Sequence, residues 1–282
     1  MLFSIMSKLL LIFCFIFHSV AWARVEVVLG KVDLKHNENA AAFLPQSPDD
    51  EILISRKQYV LSYNQMRRSP NWVAWELDAT DIGNSGRSDV FWQDEDLQKY
   101  LSRTGKGSAV SPTEYKGSCF DRGHQVPSND RTSRVTDNEY TFTMSNMIPQ
   151  TAAMNRGNWW HLEAYTRAIV KNGKRVYVIS GPVYDEDFGR IGTDRDIPVP
   201  SKNFKVIFIL GPNQTPKQIT ATTPSIAVMI PNVLSDGSKP VQTSKVCDDL
   251  EKPVRVDRDE WKKYKTTLAD IERATGLDMT PF

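Results

Sequence analysis

The residues best able to do chemistry fall in one stretch, Asp121 to Arg167, which holds two of the chain's four histidines. His124 follows Asp121, Arg122 and Gly123, a spacing that predicts a glycine-containing turn with a carboxylate and a guanidinium beside the ring. A neutral imidazole whose second nitrogen is held by a carbonyl or carboxylate can take a proton from water near neutral pH. The tetrapeptide alone equally suits a surface histidine in a turn, so its company decides. Asn155 offers a hard carboxamide oxygen of the kind magnesium accepts while keeping most of its waters, although asparagine also serves as an ordinary N-cap. Glu163 would lie about 12 Å farther along a regular helix and roughly 80° around it, too far to share a metal directly with Asn155. It could still hold a metal-bound water. Arg167, one turn on, has the spacing of a simple ion pair with Glu163.

Several elements must position these groups. Trp159, Leu162, Thr166, Ile169 and Val170 recur at helical spacing, which predicts a helix from Asn155 to Val170 stopped by Asn172-Gly173. Two paired strands are predicted between Gln58 and Leu77, around the Arg67-Arg68-Ser69-Pro70 break, and further strands at Arg175–Ser180, Phe204–Leu210 and Ile226–Ile230. A short strand precedes a loop in residues 25–50, and a short helix is predicted from Asp94 to Leu101. Asp257 and Glu260 have capping-box spacing, predicting a last helix through Trp261, Tyr264, Leu268 and Ile271 before Gly276. The fold class is therefore α+β, with a central, largely antiparallel sheet and helices packed on it. Neither a repeat nor a linker divides it.

Of the 282 residues, 40% are hydrophobic and 24% charged, which excludes a disordered, collagen-like or coiled-coil chain. Lys8, an apolar run from Leu9 to Phe17 and Ala21-Trp22-Ala23 have the layout of a signal peptide cleaved after Ala23. The run is about half the length a spanning helix needs. Export to a periplasm or the medium is expected, with no stable membrane association after cleavage. Removing residues 1–23 takes away one cation and brings the formal charge from +1 to zero, which argues against a protein that coats nucleic acid stoichiometrically. A local arginine cluster can still grip a few phosphates. Only Cys119 and Cys247 then remain, either bridged, as an oxidising compartment favours, or as two buried thiols.

The motifs from Asp121 onward resemble those of the DNA/RNA non-specific endonuclease family. They run Asp121-Arg122-Gly123-His124, Pro127, Asp130, Thr141-Phe142, Ser145-Asn146-Met147-Ile148-Pro149-Gln150, Asn155-Arg156-Gly157-Asn158-Trp159 and Leu162-Glu163. Weaker similarity extends over about the last four fifths of the chain, through Ser180-Gly181-Pro182 and Lys205 to Asp270-Ile271-Glu272. The resemblance implies a ββα-metal finger in a domain spanning 56–282, preceded by an N-terminal strand and loop extension over 24–55. It implies that His124 is the general base and Asn155 the one direct protein ligand of a hydrated Mg²⁺, for which Mn²⁺ or Ca²⁺ could substitute. Glu163 would hold the metal's water shell, Asp121 and Asn146 would support the site, and Arg122 would contact the phosphate. Arg167 would lie at the edge, and Arg87 matches an upstream arginine that the family uses on the phosphate.

These roles describe hydrolysis of DNA and RNA with little regard to sequence, leaving 5′-phosphate ends, because the contacts are to phosphate and none to base edges. A homodimer and a protein inhibitor are compatible with this reading. One rival keeps the metal but takes small nucleotides or short oligonucleotides; a long polymeric substrate should instead show activity falling steeply with salt. A second rival is a non-catalytic binding module, which has no need of a base and a metal ligand together. Zinc is poorly served, because His36, His124 and His161 lack ligand-like spacing. Every role above requires the imidazole of His124 and the carboxamide of Asn155 to converge, with the ring open to solvent.

Overall fold

The computed structural model describes residues 27–40, 44–47 and 52–279; the expected signal peptide lies outside them. In chain order the strands are β1 (Val27–Gly30), β2 (Ile52–Ser55), β3 (Val60–Asn64), β4 (Ser69–Leu77), β5 (Asp121–His124), β6 (Met147–Gln150), β7 (Arg175–Val183), β8 (Arg190–Ile191), β9 (Ile197–Pro198), β10 (Lys202–Leu210), β11 (Ser225–Pro231) and β12 (Lys265–Thr266). The α-helices are α1 (Glu95–Thr104), α2 (Val135–Thr141), α3 (Trp160–Lys171), α4 (Thr243–Leu250) and α5 (Leu268–Thr275). Eight strands form one sheet in the order β1-β2-β3-β4-β7-β10-β11-β12. Its neighbours are antiparallel except β1 with β2, as the α+β expectation requires.

The central strands are apolar on both sides because both faces are covered. Val73, Trp75 and Leu77 of β4, Val176 and Val178 of β7 and Ile207 of β10 face a core that includes Leu97 and Leu101 of α1 and Leu162 and Val170 of α3. The alternate residues, Trp72, Ala74, Tyr177, Ile179, Phe204, Val206 and Phe208, face a second core closed by Ile271 of α5. The two-residue period of a strand thus divides one hydrophobic run between two layers. A third, smaller core of Met144, Met147, Phe188, Ile197 and Val199 lies next to the β5–β6 pair.

Most predicted elements form, with four differences. The Asp121–His124 segment is a strand rather than a turn, paired with β6 residue for residue. The helix expected from Asn155 is broken: Met154–Trp159 is wound as a π-helical turn, Gly157 sits at φ −106°, ψ −111°, and regular α-helix begins at Trp160. A Cβ on Gly157 would stand 3.1 Å from Val254 and 3.2 Å from Val256, so the kink lets the neighbouring segment close against the backbone. The expected capping box at Asp257 and Glu260 does not form, since Glu260–Tyr264 is a 3₁₀ turn and Lys265–Thr266 pairs with β11. The box belongs to Thr267 and Asp270 at the start of α5. Strand β2 and helices α2 and α4 were not predicted; α2 and α4 lack a side-chain N-cap.

Cys119 and Cys247 are disulfide-bonded, with Cα atoms 4.9 Å apart, tying the residues just before β5 to α4. Lys205 of β10 is 1% exposed. Its Nζ lies 4.1 Å from the Trp159 ring centroid, 5.6 Å from that of Trp75 and 3.9 Å from a carboxylate oxygen of Glu163.

Two stability outcomes follow from these cross-connections. The disulfide closes a loop across 128 positions of chain, so Cys119→Ser/Cys247→Ser should lose about 4–5 kcal/mol in guanidinium denaturation under oxidising conditions. Lys205→Met leaves a buried carboxylate without its cation and should cost about 3–5 kcal/mol in the same assay, whereas a change within 0.5 kcal/mol would show the pair to be idle.

Candidate active site

Strands β5 and β6 and the turn that leads into α3 make a small finger laid against the large sheet. Asn232, fully buried, fastens it. Its Oδ1 accepts from the Thr151 amide at 2.8 Å, and its Nδ2 donates to the carbonyls of Pro149 and Pro200. The third position of β5 is a glycine over which Gln150 folds: a Cβ on Gly123 would fall 2.2 Å from the side chain of Gln150, which would have to move.

Two hydrogen bonds tie the start of the helix to the two ends of β5. Asn155 Nδ2 donates to Asp121 at 2.9 Å, and Trp159 Nε1 donates to the His124 carbonyl at 3.4 Å. The start of the helix is thereby fastened to both ends of β5. Asp121 also accepts from Arg156 at 2.8 and 3.0 Å, so one carboxylate orients both side chains. Because an acceptor must face the amide nitrogen of Asn155, the carboxamide oxygen is turned away, and none of the described residues donates to it.

His124 is 9% exposed, so the expectation of an open ring is not met. Phe142 packs edge-on at 4.8 Å between centroids and Phe91 lies at 5.7 Å. Nε2 is shielded and has no partner among the described residues. Burial, and secondarily the charge of Arg87, lowers the ring's pKa to about 3 against a hydrogen bond to the Arg122 backbone that favours the cation. The ring is therefore a neutral imidazole at physiological pH. Arg87, an exposed side chain, lies over Phe142 at 4.8 Å, donates to Ser128 at 2.7 Å and pairs with Asp89. Arg122 lies over the Phe91 ring at 4.7 Å, with a buried Nε that has no partner among the described residues.

Asn146 is fully buried and occupied: Oδ1 accepts from the Val126 amide at 3.0 Å, and Nδ2 donates to the carbonyls of Val126 and Thr141. It shapes the chain that leaves His124. Arg167 does not pair with Glu163, as the i,i+4 spacing suggested; it bonds Asp130 at 3.0 Å, and Asp130 also accepts from Trp75 Nε1. Glu163 faces Lys205 instead. Burial raises the pKa of Glu163 and lowers that of Lys205, while each charge pulls the other part of the way back. The charge of Arg87 is felt by both His124 and Glu163.

Lys205 and Arg156 are the site residues that motif reading passed over as mere company. The available signal for Lys205 was a lone cation inside the apolar run Phe204–Leu210. For a hydrated divalent cation, Asn155 presents one unclaimed hard oxygen, the kind of donor such an ion takes. Among the described residues no three His, Cys, Asp or Glu side chains form a metal-binding cluster, so a metal held largely by side chains of those types has no site there.

The profile of the family described as DNA/RNA non-specific endonuclease matches residues 36–281. A nuclease of Nostoc sp. is 36% identical over 86% of this chain and 77% of its own length. Human mitochondrial endonuclease G is 28% identical over 81% of this chain and 69% of its own. Among solved structures, EndoG in its complex with EndoGI superposes with a TM-score of 0.60 at 26% identity, covering 80% of this chain and 84% of that one. The chain belongs to the DNA/RNA non-specific endonuclease family.

Proposed function

We propose that this endonuclease hydrolyses the phosphodiester bonds of DNA and RNA with His124 as general base and Asn155 as the single direct ligand of a hydrated divalent cation. The reading is supported by the bonds of Asn155 to Asp121 and of Trp159 to the His124 carbonyl, at opposite ends of one four-residue strand, which put a neutral imidazole and an unclaimed carboxamide oxygen on the same finger.

Water attacking a phosphodiester must lose a proton while charge builds on the phosphoryl and departing oxygens. Nε2 of His124 has no competing partner and is unprotonated, so it can accept that proton as the water oxygen bonds to phosphorus. The bond to the 3′-oxygen breaks, leaving a 5′-phosphate and a 3′-hydroxyl that takes its proton from solvent. Arg122, flat against Phe91, presents a planar donor to a non-bridging oxygen. Water can reach Nε2 only if the aromatic cover of Phe91 and Phe142 gives way as substrate enters, because the ring is 9% exposed in the free protein. Arg167 stays bound to Asp130 at the edge of the site, where its charge steadies Glu163. When bound at Asn155, Mg²⁺, for which Mn²⁺ or Ca²⁺ could stand in, would supply positive charge to offset that building on the phosphoryl and leaving oxygens.

An oxidising, exported location agrees with the paired Cys119 and Cys247 and with the sequence of residues 1–23. A protein inhibitor is a further partner, by analogy with the EndoG/EndoGI complex.

Plasmid DNA and RNA should both be degraded in Mg²⁺ and spared by excess chelator. His124→Ala should lose about 10²–10⁴-fold in kcat with an unchanged melting temperature, and retention of full cutting would remove the base. Asn155→Ala should lose activity together with Mn²⁺ binding followed by electron paramagnetic resonance; wild-type binding would move the metal elsewhere. The His124 ring should stay neutral in an NMR titration of the free protein down to pH 5. The unfolded ring takes its proton near pH 6.5, so the stability linked to it is complete above that pH and drains between 6.5 and about 3.

A further inference from the structure

A second depression lies beside the catalytic groups and is used by none of them. It is a cavity of about 360 Å³ lined by Ser88, Val90, Trp92, Glu139 and Tyr140. We propose that it takes one unpaired nucleobase of the substrate strand, stacked on the Trp92 indole, next to the phosphate engaged by Arg87. The inference rests on the nuclease reading above and extends it to how the strand is held.

Three observations carry it. The first is continuity with the site. Ser88 follows Arg87 in the chain, and Arg87 lies on Phe142, which packs on His124. The backbone of Trp92 is hydrogen-bonded on both sides of the same segment, donating to the Phe142 carbonyl at 3.2 Å and accepting from the Met144 amide at 2.9 Å. Cavity and base therefore share one wall and cannot drift apart. Between them, Phe91 turns the other way, toward His124 and Arg122.

The second is chemistry. The five lining residues include two aromatic rings and a valine but no cation, and their one charge is the carboxylate of Glu139. Such a lining repels a phosphate and suits the neutral face of a heterocycle, while the carboxylate can accept from an exocyclic amino group. The rings are already set for it: Trp92 meets Tyr140 edge-on at 5.5 Å, and its indole N–H is anchored on the Glu139 carbonyl at 3.0 Å. The third is exposure. Val90 is 66% exposed at the rim, an apolar side chain that a stacked base would cover.

The test uses tetranucleotides in Mg²⁺, with cleavage at each linkage resolved by chromatography, both intact and with one abasic position moved along the strand. Trp92→Ala should raise KM roughly tenfold with kcat within about twofold, the size of effect expected for one lost stack. In the wild type a single abasic position next to the cut linkage should raise KM equally, and that position should carry no further penalty in Trp92→Ala. Trp92→Phe should keep most of the affinity. Val90→Glu, at an exposed position where folding is undisturbed, should raise KM as well by placing a second negative charge on the rim. Wild-type KM for Trp92→Ala and Val90→Glu on intact and abasic strands alike would overturn the proposal. So would a change in sedimentation of Val90→Glu without a change in KM, which would assign the patch to contact between copies. Failure of the wild type to cut any tetranucleotide or polymer would instead strike at the nuclease reading itself.

Discussion

The carboxylate of Asp121 is the constraint on which the rest of the site depends. It is a hydrogen-bond acceptor only, so whatever approaches it must present a donor, and two side chains of the next segment do so: the amide nitrogen of Asn155 and the guanidinium of Arg156. That single requirement fixes which way the carboxamide faces. Were Asp121 neutral or absent, the amide could rotate freely and the hard oxygen would lose its direction. The Trp159 bond to the His124 carbonyl closes the same frame at its other end, so the spacing between Asp121 and His124 is set by a strand rather than by a flexible loop.

Behind this frame stands a buried array of opposite charges. Asp130 with Arg167 and Glu163 with Lys205 place two anions and two cations in a region otherwise filled by Trp75 and Trp159. Burying any one of these charges alone is costly, and their alternation is what makes the set tolerable. The tryptophan faces add attraction for the ammonium that a purely aliphatic core could not. The array leaves Glu163 held in the interior while Arg87 stands exposed, a division between buried and surface charge suited to a site that must admit and release a polyanion.

Much of this could be read from the chain and some could not. Strands β4, β7 and β10 are long and have a core on each side, so the sheet was visible in Trp72, Ala74 and Trp75 and in the β-branched and aromatic runs Arg175–Ser180 and Phe204–Leu210. Asp94 announced α1, whose first turn it caps. The site residues were visible as a motif because their chemistry allows few substitutes. What escaped was decided by tertiary partners. Nothing near Asn155 shows that Gly157 would leave helical geometry; the cause lies at Val254 and Val256, about a hundred residues away. The i,i+4 spacing of Glu163 and Arg167 gave way to Lys205 and Asp130, because a buried carboxylate selects its cation by position in space. The ring of His124 was expected in the open, but the aromatic packing of Phe91 and Phe142 is invisible to local spacing.

Gly123 has a consequence of its own. Its φ is negative, so it is not there for conformational freedom; it is there because Gln150 lies across the place where a first side-chain carbon would be. Gln150 thus fills, on one face of the finger, the space a side chain at position 123 would take. A methyl group there would remove no ionisable group, yet it would displace the buried Gln150 side chain, one residue from where the imidazole stands. Loss of activity from such a change would be a failure of alignment, with every reacting group still present.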